Sequence, residues 1–218
     1  MFGLGGRRKA PAFFMRSHVQ PPPMGTHRAA SAGSDWPRQG HVPVDTLPST
    51  MRLSDRGTLW LAQGFGSGRL RPGPGTWGSL VGCAWAGVLL HLPASAALVA
   101  AIAAALAAVP VCTRAESLLG SPDPGSVVLD EIVAMPLVLL PLQAGGLLGW
   151  IPARDLLAAS AGLWWLAAFT LFRVLDIAKP WPVGALQNLP RGWGIVLDDV
   201  AAGLIGGILL LAAARILP

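Results

Sequence analysis

An all-helical, polytopic membrane bundle of about five apolar helices is the fold class this sequence predicts, and three observations predict it. Of 218 residues, 53% are hydrophobic and only 12% charged, with mean hydropathy +0.55, whereas soluble domains carry about a quarter charged residues. The apolar residues gather in five stretches separated by Pro and Gly turn chemistry. The excess of Lys and Arg that gives the chain its net charge of +5 lies entirely in the first 57 residues. Beyond them basic and acidic residues balance, which argues against nucleic acid as a partner of the body.

The chain reads as two regions, 1–57 and 58–218. The first is basic and rich in Pro, Gly and Ser, includes Pro21-Pro22-Pro23, and shows no apolar period, so disorder is expected. It holds no apolar run long enough for a signal-peptide core, and neither cleavage nor export is expected. Met51 precedes the first segment that looks ordered. The tail therefore reads either as an extension ahead of the natural start or as a basic arm resting on anionic lipid.

A glycine-rich loop, residues 64–75, leads into the first apolar stretch. The stretches cover residues 77–92, 94–111, 127–142, 156–172 and 195–217. Several are shorter than the roughly 20 residues that cross a bilayer upright, and local thinning or snorkelling Arg would let them serve. Gly78, Gly82 and Ala86 line one face of the first stretch, and Gly203 and Gly207 one face of the last. Small residues four apart let helix backbones approach closely, which favours a packed bundle, and association with further copies is compatible with it. Cys83 and Cys112 lie inside apolar runs without metal-ligand spacing and read as core residues.

Threading five stretches back and forth places Asp130, Glu131, Asp176, Asp198 and Asp199 at one membrane face, the face of the glycine-rich loop. Ionisable groups at a bilayer margin are costly to bury and mark function. Clustered carboxylates repel one another and call for a compensating cation. Oxygen ligands without His or Cys select a hard ion, and Mg2+ takes one or two carboxylates with waters and a substrate phosphate. Arg69, Arg71, Arg114, Arg173, Lys179 and Arg191 share that face, which makes it cytoplasmic by the bias of basic residues toward cytoplasmic loops. Arg173 could simply pair with Asp176 three residues on. Metal, acids and bases at headgroup level point to a phosphorylated lipid, with Arg173, Lys179 and Arg191 gripping phosphate. Gly75, Thr76 and Ser79, where the loop enters a helix, form a candidate phosphate cradle, and a tight turn needing glycine explains the same residues.

The residues narrow the chemistry. Neither cysteine is followed six positions on by Arg, His91 is the body's only imidazole, and no D-x-D run occurs. Cysteine, histidine and aspartyl nucleophiles of the usual phosphatases are thereby excluded, and metal-assisted attack by water remains.

Four blocks carry a resemblance. They are Gly64-Phe65-Gly66-Ser67-Gly68 with Pro74-Gly75-Thr76-x-Gly78-Ser79-Leu80; Asp130-Glu131; Phe172-Arg173-x-x-Asp176-x-x-Lys179-Pro180-x-Pro182; and Gly192-x-Gly194-Ile195-x-x-Asp198-Asp199-x-x-Ala202-Gly203. Together, in this order, they resemble the phosphatidylglycerophosphatase A family of bacterial membrane lipid phosphatases. The resemblance implies Mg2+-dependent removal of the terminal phosphate of phosphatidylglycerophosphate, giving phosphatidylglycerol, at the cytoplasmic face of the inner membrane. Two departures stand out: Ala134 replaces a glycine common in the family, and the tail has no counterpart there.

Asp130, Glu131, Asp176, Asp198 and Asp199 are accordingly the expected catalytic residues and holders of one or two Mg2+ ions. One rival, a CDP-alcohol phosphatidyltransferase, would show a D-G-x-x-A-R run, which is missing. Another, a non-enzymatic cation carrier, would place acids near mid-span and in both halves of the bundle.

Overall fold

The computed structural model describes residues 51–150, 158 and 161–216, and all regular structure among them is helical. The expected tail lies outside the described residues through residue 50. Residues 53–57, read from the sequence as its end, instead form the first turns of helix α1 (Leu53–Ala62). Only Leu59 and Ala62 of that helix are buried, too few to set an apolar period in the sequence. Arg114 anchors α1 to the bundle through Asp55, at 2.8 Å.

A 3-10 segment, Gly64–Arg69, follows α1. Helix α2 (Pro74–Leu90) starts where Gly73 takes left-handed backbone (φ 71) and Pro74, preset for helix, fills the first position. Helix α3 (Ala94–Leu119) runs eight residues past the expected Val111 and stops at Gly120, left-handed at φ 66. The third apolar stretch is kinked: α4 (Leu129–Ala134) and α5 (Pro136–Leu147) meet at Met135, because Pro136 lacks an N–H and its ring crowds the preceding turn. Helix α6 (Gly162–Ala178) extends beyond the expected Phe172, and a short α7 (Val183–Leu186) leads to α8 (Gly192–Ile216).

Among the described residues, three helical spans, Ala94–Leu119, Leu129–Leu147 and Gly192–Ile216, are long and apolar enough to cross a membrane. Helices α2 and α6 have 17 residues each and rise about 26 Å, short of the roughly 30 Å hydrocarbon core. Val99, Ile102 and Leu106 on α3, Leu163 and Leu166 on α6, and Ile208 on α8 all face outward. Large apolar side chains on the outside of a helical bundle mark a membrane protein, whose solvent is lipid.

The kinked α4–α5 span is the centre, and far more of it is buried than of α3. Glycines on both neighbours make that possible. A Cβ on Gly82 of α2 would stand 2.7 Å from the Met135 Cβ, and one on Gly203 of α8 would stand 2.7 Å from the Ala134 carbonyl oxygen. Gly207 faces the Leu137 carbonyl at 2.6 Å in the same sense. The small-residue faces read from the sequence are thus where two helices press on the central one. Val138, Leu139, Leu142, Phe172 and Leu210 fill the space between α5, α6 and α8, while Leu59, Val109, Cys112, Val133 and Val196 fill that between α1, α3, α4 and α8. Replacing Gly203 with Val should lower stability by about 1–3 kcal/mol through overpacking. Thermal unfolding in detergent reads this, and an unchanged midpoint contradicts the close approach.

Candidate active site

The five acids come from three helices. Asp130 and Glu131 occupy the first turn of α4. Asp176 lies inside the last turn of α6, not just past its end, and Asp198 and Asp199 lie two turns into α8, because both helices extend further than their apolar runs. Asp130, Asp176, Asp198 and Asp199 are all buried.

Two basic residues tie these helices together. Arg173 Nη1 donates to Glu131 Oε1 at 3.0 Å and to Asp176 Oδ2 at 2.5 Å. Lys179 Nζ donates to Asp198 Oδ2 at 2.5 Å, and Asp198 Oδ1 accepts from the Asp199 backbone N–H at 3.0 Å. The Arg173–Asp176 pair that the three-residue spacing allowed is therefore present, with Glu131 sharing it. Lys179 stands past the end of α6. Burial alone would lower its ammonium pKa, but the hydrogen bond and charge of Asp198 outweigh burial and hold it above the ordinary lysine value.

Four further atoms of the cluster are unmatched among the described residues. Asp130 Oδ1, Glu131 Oε2 and Asp199 Oδ2 are buried acceptors without a donor, and Arg173 Nε is a buried donor without an acceptor. Asp199 feels the charges of Asp130, Asp176, Asp198 and Glu131, so the acids form one electrostatic unit of five carboxylates against two cations. Buried polar atoms without partners cost about 1–3 kcal/mol each, and a concentration of them calls for a water, an ion or another polar group to complete it.

Among the described residues no three His, Cys, Asp or Glu are arranged to hold a metal ion by themselves. Glu131, Asp176 and Asp198 each give an oxygen to Arg173 or Lys179 instead. The donorless oxygens of Asp130, Glu131 and Asp199 still fit a hard divalent cation, because Mg2+ is content with one or two carboxylates and fills its other positions with water and phosphate.

The other expected contacts divide. Gly75 backs directly on the clamp, where a Cβ would collide with Glu131 Oε1 and meet Arg173 Nη1 at 2.9 Å. Ser79 is buried and its hydroxyl donates to the Gly75 carbonyl at 2.8 Å, so it serves its own helix. Thr76 is exposed in the first turn of α2. Arg191 is exposed in left-handed backbone before α8 and forms no ion pair among the described residues. His91 lies beyond the far end of α2, about 25 Å of helix from Gly75. Asp123 was not singled out by the sequence. It accepts from Gln187 Nε2 at 3.4 Å, and its charge acts on Asp130, Glu131, Asp198 and Lys179. Its position on the same side of the threaded chain as the other acids was the available signal.

The model of one protein family, phosphatidylglycerophosphatase A, matches residues 60–214. The chain belongs to the phosphatidylglycerophosphatase A family. The family region takes in every acid and base of the cluster and leaves out most of α1. A phosphatidylglycerophosphatase A of Haemophilus influenzae is 37% identical over 154 residues, 70% of this chain and 85% of that protein. One of Escherichia coli is 32% identical over 167 residues, 76% and 88% of the two chains. A Bacteroides thetaiotaomicron protein, provisionally named a phosphatidylinositol-3-phosphatase, is 33% identical over 159 residues, 70% and 91%. No solved structure shows a significant match.

Proposed function

We propose that this chain is a lipid phosphomonoester hydrolase that converts phosphatidylglycerophosphate to phosphatidylglycerol and inorganic phosphate. Its membership of the phosphatidylglycerophosphatase A family supports the reaction and substrate. The observation that carries the site is the set of unmatched buried atoms: one guanidinium donor beside three carboxylate acceptors, which is what a phosphate and a divalent cation would complete between them.

Asp130, Asp199 and Glu131 are the residues that would hold Mg2+, with Asp176 and Asp198 in reserve behind Arg173 and Lys179. The ion when bound supplies charge neutralisation at the phosphate and a water of lowered pKa. Arg173 offers its free Nε to a phosphate oxygen while Glu131 and Asp176 fix the guanidinium plane. Water adds to phosphorus, the bond from phosphorus to the glycerol oxygen breaks, and that oxygen leaves with a proton. Asp130 or Asp199, through an oxygen that the ion leaves free, would take the proton that water gives up and return it to the departing glycerol oxygen.

Five crossings, with α2 and α6 spanning where the bilayer thins, put the α2, α4 and α8 N-termini and the α6 C-terminus at one face. The basic residues there make that face cytoplasmic, at the bacterial inner membrane. Residues 58–218 carry the catalytic domain in this reading, and 53–57 join its packing through α1.

The experiment is phosphate release by the purified chain in detergent micelles, supplied with phosphatidylglycerophosphate or, because of the Bacteroides relative's name, phosphatidylinositol 3-phosphate. Turnover at least about tenfold faster on the first is expected. The reverse order moves the assignment to the second lipid, and no release from either overturns the hydrolase reading.

A further inference from the structure

Outside the carboxylate cluster one built polar arrangement takes no part in the chemistry above. Gln63 is wholly buried, which is costly for a carboxamide unless its atoms are bonded. Its Oε1 accepts from Arg69 Nε at 2.8 Å, and its Nε2 donates to Ser126 Oγ at 3.4 Å. The same seam is closed by the Val128 N–H donating to the Ala62 carbonyl at 3.0 Å. Gly68 sits so tightly on the Ser126 carbonyl that a Cβ there would collide with it. Ser126 and Val128 lead straight into Asp130 and Glu131.

Arg69 is therefore fixed to the approach of the acid pair by its Nε alone. The residue is exposed, and its two Nη groups meet no carboxylate and no other acceptor among the described residues. Arg173 and Lys179, by contrast, are both engaged with acids. A guanidinium tethered at Nε presents its Nη pair as a rigid fork, the geometry that matches two oxygens of one phosphate.

We propose that Arg69, positioned by Gln63, binds the internal phosphodiester of the lipid substrate, so that the protein reads two phosphates, one at the acid cluster and one at this fork. The inference rests on the function proposed above, whose substrate carries a phosphodiester between its two glycerols as well as the terminal monoester. Gln63 acts through Arg69 and is a positioning residue. A purely structural role, stapling the 3-10 segment to α4, would instead lower stability and leave KM alone.

The test is steady-state kinetics of the full chain in mixed micelles, with phosphatidylglycerophosphate as substrate. Phosphatidylglycerol, which keeps the diester and lacks the monoester, is added as inhibitor. Arg69→Leu should raise KM about tenfold, as the loss of a charge-assisted hydrogen-bond pair does. It should weaken inhibition by phosphatidylglycerol by a similar factor and change kcat much less. Arg69→Lys, which keeps the charge without the fork, should fall between, and Gln63→Leu should shift KM in the same direction. An unchanged KM in Arg69→Leu, or inhibition by phosphatidylglycerol that ignores the substitution, overturns the proposal alone. A wild-type protein that releases no phosphate overturns the function reading, and this inference with it.

Discussion

Replacing Asp130 or Asp199 with Asn should reduce phosphate release from phosphatidylglycerophosphate by about three orders of magnitude, roughly 4 kcal/mol of transition-state stabilisation, with membrane insertion intact. Both carboxylates are buried, and each holds an oxygen that no protein donor satisfies. Asn keeps the shape and removes the charge that a cation would need. The loss is not a folding defect, and the sign of a second measurement shows it. Each acid sits among like charges, so in metal-free buffer the neutral amide relieves repulsion and the unfolding midpoint should stay level or rise. Near-normal turnover in both variants contradicts the assignment.

Arg173→Ala should cost about 3–5 kcal/mol of stability, the usual penalty for stripping one partner from a buried ion pair. The Arg173, Glu131 and Asp176 side chains are only 16%, 12% and 12% exposed, so the discount that applies to surface pairs does not hold here. One guanidinium neutralises acids from α4 and α6, and its loss frees two buried carboxylates at once. Arg173→Lys should recover part of the stability, since an ammonium restores the charge without the planar fork. Thermal unfolding in detergent distinguishes these outcomes, and an Arg173→Ala midpoint equal to wild type contradicts the clamp.

Much of the architecture was legible because its physical causes are local. Pro93 and Pro180 stand next to where α3 starts and α6 stops, and the small faces of Gly78, Gly82, Gly203 and Gly207 lie where helices touch. What the runs could not show was how far helices continue through polar residues. Helix α3 reaches Leu119 through Arg114 and Glu116, α6 reaches Ala178 and α8 begins at Gly192; the last two extensions place Asp176, Asp198 and Asp199 inside helices. The third run read as one piece, although Pro136 inside it carried the reason for its kink.

In the candidate site, doubled acids at one face identified the residues, while their partners are tertiary facts. Arg173 is separated from Glu131 by 42 positions and Lys179 from Asp198 by 19, and spacing alone does not pair them. Asp123 escaped notice because a lone acid between two prolines reads as turn chemistry. Gln63 escaped because a single amide before a glycine carries no pattern, and its burial becomes visible only when Ser126 is folded against it.

In the proposed reaction the carboxylates of α4 and α8 work through a divalent cation at the lipid headgroup. The most direct measurement is phosphate release from phosphatidylglycerophosphate by the purified protein, first stripped with a chelator and then titrated with Mg2+. Release that vanishes on stripping and returns with added Mg2+ is predicted. Full activity in the presence of excess chelator would contradict it.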